Sequence, residues 1–281
     1  MRQECYQCHI KTVKKLIEKY NPVKEIADSF LRLASEILET NKNEDNPYLA
    51  TLIHRLAKIM INHSDLYQSE KHSANKVLLE NYSKWESMVK NDDCPLSAAS
   101  KLAVAGNIID YGAHSVPEDV EKQINTLYNT DLAIDETESL IKKIRNAKSV
   151  LYIGDNAGEI VFDKLFIEYM DHPDVTYVVR GAPVINDVTF DDIQQVKLDK
   201  ICKIISNGFD APSTLLEYCS DEFIRAFEQA GLIISKGQGN FEGLMNSGRP
   251  DLYFLLMAKC EPMAELLKVT KNSMVITRLK T

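Results

Sequence analysis

Ser149-Val150-Leu151-Tyr152-Ile153, running directly into Gly154-Asp155-Asn156-Ala157-Gly158-Glu159, decides the reading of the fold. A short apolar run that closes on Gly, Asp and Asn reads as a strand with a turn at its carboxyl end. The pattern recurs downstream, in Val175-Thr176-Tyr177-Val178-Val179, Ile201-Cys202-Lys203-Ile204-Ile205, Leu232-Ile233-Ile234 and Leu252-Tyr253-Phe254-Leu255-Leu256-Met257. Helical stretches separate these runs, and Met274-Val275-Ile276-Thr277 is a candidate last strand. Such alternation predicts βα units, a largely parallel sheet and the α/β class.

Upstream the period changes. Val13-Leu16-Ile17-Tyr20, Ile26-Phe30-Leu31-Leu33-Ile37 and Ile53-Leu56-Ile59-Met60 recur at helical spacing. Breaks fall at Asn21-Pro22, in the polar run 40–47 and at Asp92-Asp93-Cys94-Pro95. The chain therefore divides into an all-α region over 1–115, with a connection around Pro117, and an α/β domain over 116–281.

Composition narrows the function. With 281 residues, 44% apolar and 26% charged, the chain has the make-up of a folded protein that buries a sizeable core. A net charge of -8 argues against nucleic acid, whose affinity comes from Lys and Arg on phosphates. No apolar run approaches the length of a membrane span, and residues 1–14 carry Glu4, His9 and several Lys where a signal peptide would be apolar, so a cytoplasmic location is expected. The six cysteines, Cys5, Cys8, Cys94, Cys202, Cys219 and Cys260, fit free thiols.

In open α/β sheets ligands bind beyond the carboxyl ends of the strands. The residues there are Gly154-Asp155-Asn156, Arg180-Gly181 leading to Asn186-Asp187, Ser206-Asn207-Gly208, and Ser235-Lys236-Gly237-Gln238-Gly239-Asn240. Hard divalent cations such as Mg²⁺ and Mn²⁺ take carboxylate, amide and water oxygens, and Asp155, Asn156 and Asp187 supply that set. Gly154 and Gly158 permit a tight strand-to-helix turn. Lys236, in a glycine-flanked loop, offers a compact positive charge to phosphate oxygens. Glu159, Arg180, Asn207 and Asn240 are further substrate-binding candidates. Singly, each residue also has a plainer role. Asp and Asn form Asx turns and helix caps, Glu159 suits the first turn of a helix, and Arg180 can pair with a neighbouring carboxylate.

Taken together and in order, Gly154 to Glu159, Arg180-Gly181-Ala182-Pro183-Val184-Ile185-Asn186-Asp187, Ser206-Asn207-Gly208 and Ser235-Lys236-Gly237-Gln238-Gly239-Asn240-Phe241-Glu242 resemble the damage-control phosphatases of the domain-of-unknown-function 89 group, also called the acidic-residue-methyltransferase-like domain. Ala105-Gly106-Asn107-Ile108-Ile109-Asp110-Tyr111-Gly112 adds to the match, and Cys5-Tyr6-Gln7-Cys8 looks like its microbial branch. The resemblance implies a helical region packed on a three-layer α/β/α core, and metal-dependent hydrolysis of small phosphorylated metabolites such as sugar phosphates or damaged cofactors. It also implies metal-ligand roles for Asp155, Asn156 and Asp187, with Lys236 and Asn107 near the substrate phosphate. The ion would be Mn, Mg, Co or Ni. Asp155 is read as a ligand and a catalytic residue with Lys236, not as a covalent nucleophile, because position 157 is Ala where aspartyl-phosphate enzymes have a second Asp.

Other patterns carry less. Cys5-x-x-Cys8 has no second pair to complete a zinc site, which leaves two thiols, a cysteine-assisted metal site or a reversible disulfide. Gly237-x-Gly239 lacks the third glycine of a dinucleotide loop, and Gly154-x-x-x-Gly158 lacks the Lys-Ser/Thr of a P-loop. His54, His63, His72, His114 and His172 show no metal spacing and read as surface or packing residues. The rival functions are an S-adenosylmethionine-dependent carboxyl methyltransferase, also proposed for part of this family, and a non-catalytic metal or metabolite sensor.

Overall fold

Val150, Tyr152, Tyr177 and Ile234 pack against one helical layer, while Leu151, Ile153, Val178 and Ile233 pack against another. The period-two alternation of a strand thus places apolar side chains on both faces of one sheet, which is why these runs read as continuously apolar. The computed structural model describes residues 2–108 and 119–279. The expected connection around Pro117, the 115/116 division, Ile109-Asp110-Tyr111-Gly112 and His114 lie outside them.

The sheet contains β1 (Ile134–Asp135), β2 (Val150–Ile153), β3 (Val175–Val179), β4 (Lys203–Ser206), β5 (Leu232–Lys236), β6 (Leu252–Met257) and β7 (Met274–Arg278). Their order is β1-β7-β6-β5-β2-β3-β4. Pairing is parallel except between β6 and β7. This is the mainly parallel α/β arrangement expected, with three differences. β1 has only two residues, too few to show a period. β4 begins at Lys203, because Ile201 and Cys202 close a 3₁₀ turn through backbone bonds to Leu198. β5 runs on through Lys236, which is therefore strand and not loop.

One face of the sheet is covered by α4 to α10, namely Gln68–Glu80, Tyr82–Lys90, Pro95–Ala105, Val120–Tyr128, Thr137–Asn146, Ile160–Met170 and Phe190–Val196. The other face carries α11 (Asp221–Gln229), α12 (Gly237–Leu244) and α13 (Glu261–Leu267). The first three helices, α1 (Gln3–Tyr20), α2 (Lys24–Thr40) and α3 (Asn46–Ile61), bury a cluster of their own around Leu16, Phe30, Leu38 and Ile53. Asn21, in the left-handed region at φ 43°, closes α1 where Asn21-Pro22 predicted a stop. Cross-links hold α3 over the α/β part: Asn46 Nδ2 donates to Glu242 Oε2 at 3.3 Å, and Arg55 Nη2 to Asp210 Oδ1 at 2.5 Å. Among the described residues no helix is long and apolar enough to cross a membrane.

From β2 the chain moves outward through β3 to β4, then returns to β5 on the other side and moves outward through β6 to β7. Strand order therefore reverses between β2 and β5. The loops after these two strands diverge around a crevice, the standard ligand position of an open α/β sheet.

Candidate active site

Asp155 follows β2 directly, and the backbone then meets the loop after β3. Val188 N–H donates to the Asp155 carbonyl at 2.8 Å, Ala157 N–H donates to the Asn186 carbonyl at 2.8 Å, and Asn156 and Asp187 form an isolated antiparallel bridge. This lacing seats Asp155, Asn156 and Asp187 side by side on the wall of a cavity of about 170 Å³. Gly158, at φ 79°, makes the turn that starts α9.

Gly237 opens α12 beside Asp155 at φ 79°, and a Cβ there would lie 1.9 Å from Asp155 Oδ2. Only glycine lets the two loops approach so closely. Gly237→Ala is expected to cost about 1–3 kcal/mol through the left-handed backbone and to displace the Asp155 carboxylate. A lower melting temperature would check this; an unchanged one would refute it.

The hydrogen bonds fix which atoms face the cavity. Asn156 Nδ2 donates to Asp155 Oδ2 at 2.7 Å and to Glu159 Oε2 at 3.1 Å, so its carbonyl oxygen is left for a ligand. Asn107 Nδ2 donates to Asp155 Oδ2 and Glu159 Oε2, both at 2.9 Å, and its Oδ1 accepts from Met257 N at 3.2 Å. Arg180 Nε donates to Asp187 Oδ2 at 2.6 Å, while its buried Nη2 lies 3.8 Å from Asp155 Oδ1 and has no hydrogen-bond partner. Burial, then Glu159 and Asp187, push the Asp155 carboxyl well above the usual carboxylate range. Negative charge is thus crowded at the wall, and an added cation would relieve it.

Two buried carboxylates, an amide oxygen and a neighbouring cavity suit a hard divalent ion, with water and substrate completing its shell. Among the described residues no group of three or more His, Cys, Asp or Glu gathers to hold a metal, so a cage made only of those types is not the arrangement here.

Behind this wall the structure differs from the sequence reading. Lys236, expected in a loop facing phosphate, is fully buried, and its Nζ donates to Glu159 Oε1 at 2.5 Å, Asp163 Oδ1 at 2.6 Å and the Ala103 carbonyl at 2.8 Å. All three ammonium donors are used within the protein. Burial alone would lower its pKa, but Asp163 and Glu159 outweigh that and raise it. Asn107, Glu159, Arg180, Asn207 and Asn240 are likewise buried and not on the cavity wall, so their expected contact with substrate becomes a supporting role. Asn240 donates to the carbonyls of Gly154 and Lys236 at 3.1 and 2.8 Å, tying the loops after β2 and β5 together. Asn207 Oδ1 accepts from Gly181 N and Phe209 N, both at 3.1 Å, the plainer turn role.

Several contributors escaped the sequence reading. Asp163 accepts from Tyr152 Oη at 2.7 Å and from Tyr177 Oη at 2.9 Å as well as from Lys236. Its signal was a carboxylate on the apolar side of α9, one turn after Glu159. Lys259, just after β6, lines the cavity, as do His9, Asn46, Gln238 and Glu242. His54 also lines it, and burial, reinforced by Lys58 and His9, lowers its pKa to about 3, so this wall is neutral imidazole. All six cysteines are free thiols, Cys5 half-buried and Cys8 exposed.

The model of the damage-control phosphatase ARMT1-like domain matches residues 1–275. The chain is 31% identical over 285 residues to a damage-control phosphatase of Pyrococcus horikoshii, covering 100% of this chain and 98% of that protein. It is 33% identical over 259 residues to a damage-control phosphatase of Archaeoglobus fulgidus, covering 90% and 88%. An uncharacterized protein of Methanocaldococcus jannaschii is 35% identical over 287 residues, covering 97% and 94%. The crystal structure of a DUF89 family protein from Pyrococcus horikoshii superposes with a TM-score of 0.88 at 31% identity, covering 100% of this chain and 99% of that one. With a family match over residues 1–275 and full-length similarity in sequence and fold, this chain belongs to the damage-control phosphatase ARMT1-like domain family.

Proposed function

We propose that the protein is a metal-dependent phosphatase that releases inorganic phosphate from small phosphorylated metabolites, and that Asp155, Asn156 and Asp187 hold a Mn, Mg, Co or Ni ion. The observation that carries this reading is the backbone lacing that brings these three residues from two loops onto one cavity wall. A divalent ion there supplies Lewis acidity, which neutralises charge on phosphoryl oxygens and makes water more acidic.

The chain's own residues do the rest. Asn107 and Asn156 hold Asp155 Oδ2 by two amide donors, which fixes the carboxylate plane. Arg180 fixes Asp187 and stands between the two carboxylates. Lys259, on the wall and close enough to Asp155 to lower its pKa, is the cation that meets a phosphoryl oxygen, the role first assigned to Lys236. Lys236 positions the site by neutralising Glu159 and Asp163 beneath it. In the reaction the oxygen of water bonds to phosphorus as the ester P–O bond breaks, and the proton that the water gives up ends on the leaving alkoxide oxygen, yielding the alcohol and inorganic phosphate.

Chelator-treated protein is expected to release no phosphate from a generic monoester and to recover activity with Mn²⁺, Co²⁺, Ni²⁺ or Mg²⁺. Equal turnover with and without metal would sink the metal assignment. No turnover with any of the four, across a panel of phosphorylated metabolites, would sink the phosphatase reading.

A further inference from the structure

α4 buries Lys71, Ala74, Asn75 and Leu78 on one face, so two polar side chains stand where helical spacing calls for apolar ones. A buried amide persists where its donors and acceptor find partners. Asn75, with no exposed surface, uses both donors and its acceptor. Its Oδ1 accepts from Gly158 N at 2.5 Å, and its Nδ2 donates to Asp192 Oδ1 at 3.0 Å and to Gln195 Oε1 at 2.9 Å. Asp192 Oδ2 in turn accepts from Thr189 N at 2.8 Å and Thr189 Oγ1 at 2.9 Å, the capping box that starts α10. Lys71 Nζ, one turn before Asn75, lies 2.9 Å from Asp192 Oδ2 and donates to Thr189 Oγ1 at 3.1 Å.

The two points held are equivalent. Gly158 follows Asn156 by two residues, and Thr189 follows Asp187 by two. One side chain on α4 therefore grips both ligand loops just beyond their proposed ligands, across 83 residues to Gly158 and 117 to Asp192. The lacing between the loops fixes the backbone at Asp155 and Ala157, but the turn that follows rests on Gly158 at φ 79°. Glycine supplies that conformation without supplying stiffness. The Asn75 acceptor pins the turn, because Gly158 is buried and its N–H would be left unsatisfied without it.

We propose that Asn75 is a positioning residue of the metal wall, setting the placement of Asn156 relative to Asp187 through the Gly158 turn and the Asp192 cap. The proposal rests on the metal assignment and adds the residue behind the wall that holds its two loops together. Asn75 does not line the cavity, so it acts only through these loops. Its effect is expected in metal affinity, as for other residues that orient ligands from behind.

The test titrates Mn²⁺ calorimetrically into the chelator-treated full chain. Asn75→Leu, which keeps the bulk and loses all three bonds, is expected to weaken Mn²⁺ binding by on the order of tenfold. Asp192→Asn, which sets one amide NH₂ against another, should weaken it in the same direction, and it carries the test should Asn75→Leu not fold. Combining Asn75→Asp with Asp192→Asn exchanges donor and acceptor. The double variant keeps acceptors for the N–H groups of Gly158 and Thr189 and leaves the net charge unchanged, so binding should return towards wild type. Leu78→Ala, one turn further along the same buried face, opens a cavity and is expected to lower the melting temperature without weakening Mn²⁺ binding. Wild-type affinity in both single variants, no recovery in the double variant, or an equal loss in Leu78→Ala overturns the positioning role while leaving the metal assignment intact. Absence of Mn²⁺ binding by the unaltered chain overturns both.

Discussion

Asp155→Ala and Asp187→Ala should each lower metal-dependent phosphate release by on the order of 10³-fold, about 4 kcal/mol of transition-state stabilisation. The two carboxylates carry the negative charge of the proposed ligand set, and neither has a neighbour able to replace it: Glu159 is turned inward to Lys236 and the two asparagines. The isosteric Asp155→Asn and Asp187→Asn keep the shape of the wall while removing charge, which separates loss of metal from loss of packing. Metal affinity measured by calorimetry should fall together with kcat. If turnover persists in both alanine variants, the metal lies elsewhere and the geometry at the β2 and β3 loops has another purpose.

The largest stability effect is expected at Lys236. Lys236→Met leaves Glu159 and Asp163, both fully buried, without their ammonium partner. Removing one member of a buried ion pair typically costs about 3–5 kcal/mol, because the remaining charge stays desolvated. The pH dependence follows by sign. Burial raises the Asp163 carboxyl even with Lys236 opposing it, and without the ammonium it rises further. A carboxyl that binds its proton more tightly in the folded than in the unfolded chain destabilises the fold above the unfolded pKa. Lys236→Met should therefore gain stability relative to wild type as pH falls towards about 4, the ordinary carboxylate range. Urea midpoints at acidic and neutral pH read this directly, and Lys236→Met combined with Asp163→Asn should recover part of the loss. A midpoint equal to wild type at neutral pH would show that the ammonium does not compensate these carboxylates.

Both expectations depend on a distinction that strand-end position could not make. Asp155, Asn156 and Asp187 stand out in the sequence as candidate ligands because each lies in a loop after a strand and each is a hard-ligand residue. Their neighbours in the same loops were legible as polar but not as inward or outward. Lys236 ends β5 with its side chain directed into the α9 side of the sheet, where it meets Asp163, itself held by Tyr152 and Tyr177. Lys259 follows β6 by two residues and reaches the cavity. Loop position is a local property, whereas the direction of a lysine ammonium depends on which carboxylates the packing of α9 and α6 brings near.

Taken alone, the sequence determined the α/β class, most of the strands, the helical character of the first hundred or so residues, and the candidacy of Asp155, Asn156 and Asp187 as hard-ligand residues. These follow from hydrophobic period and turn chemistry, which act within a few residues along the chain. Tertiary structure decided the reversal of strand order between β2 and β5, the backbone lacing that joins Asp155 to Asp187, and the inward burial of Lys236 against Glu159 and Asp163. It also decided the cavity in which Lys259 stands. Those are long-range pairings, set by which buried polar groups find partners when the sheet and its helices close, and no local pattern specifies them.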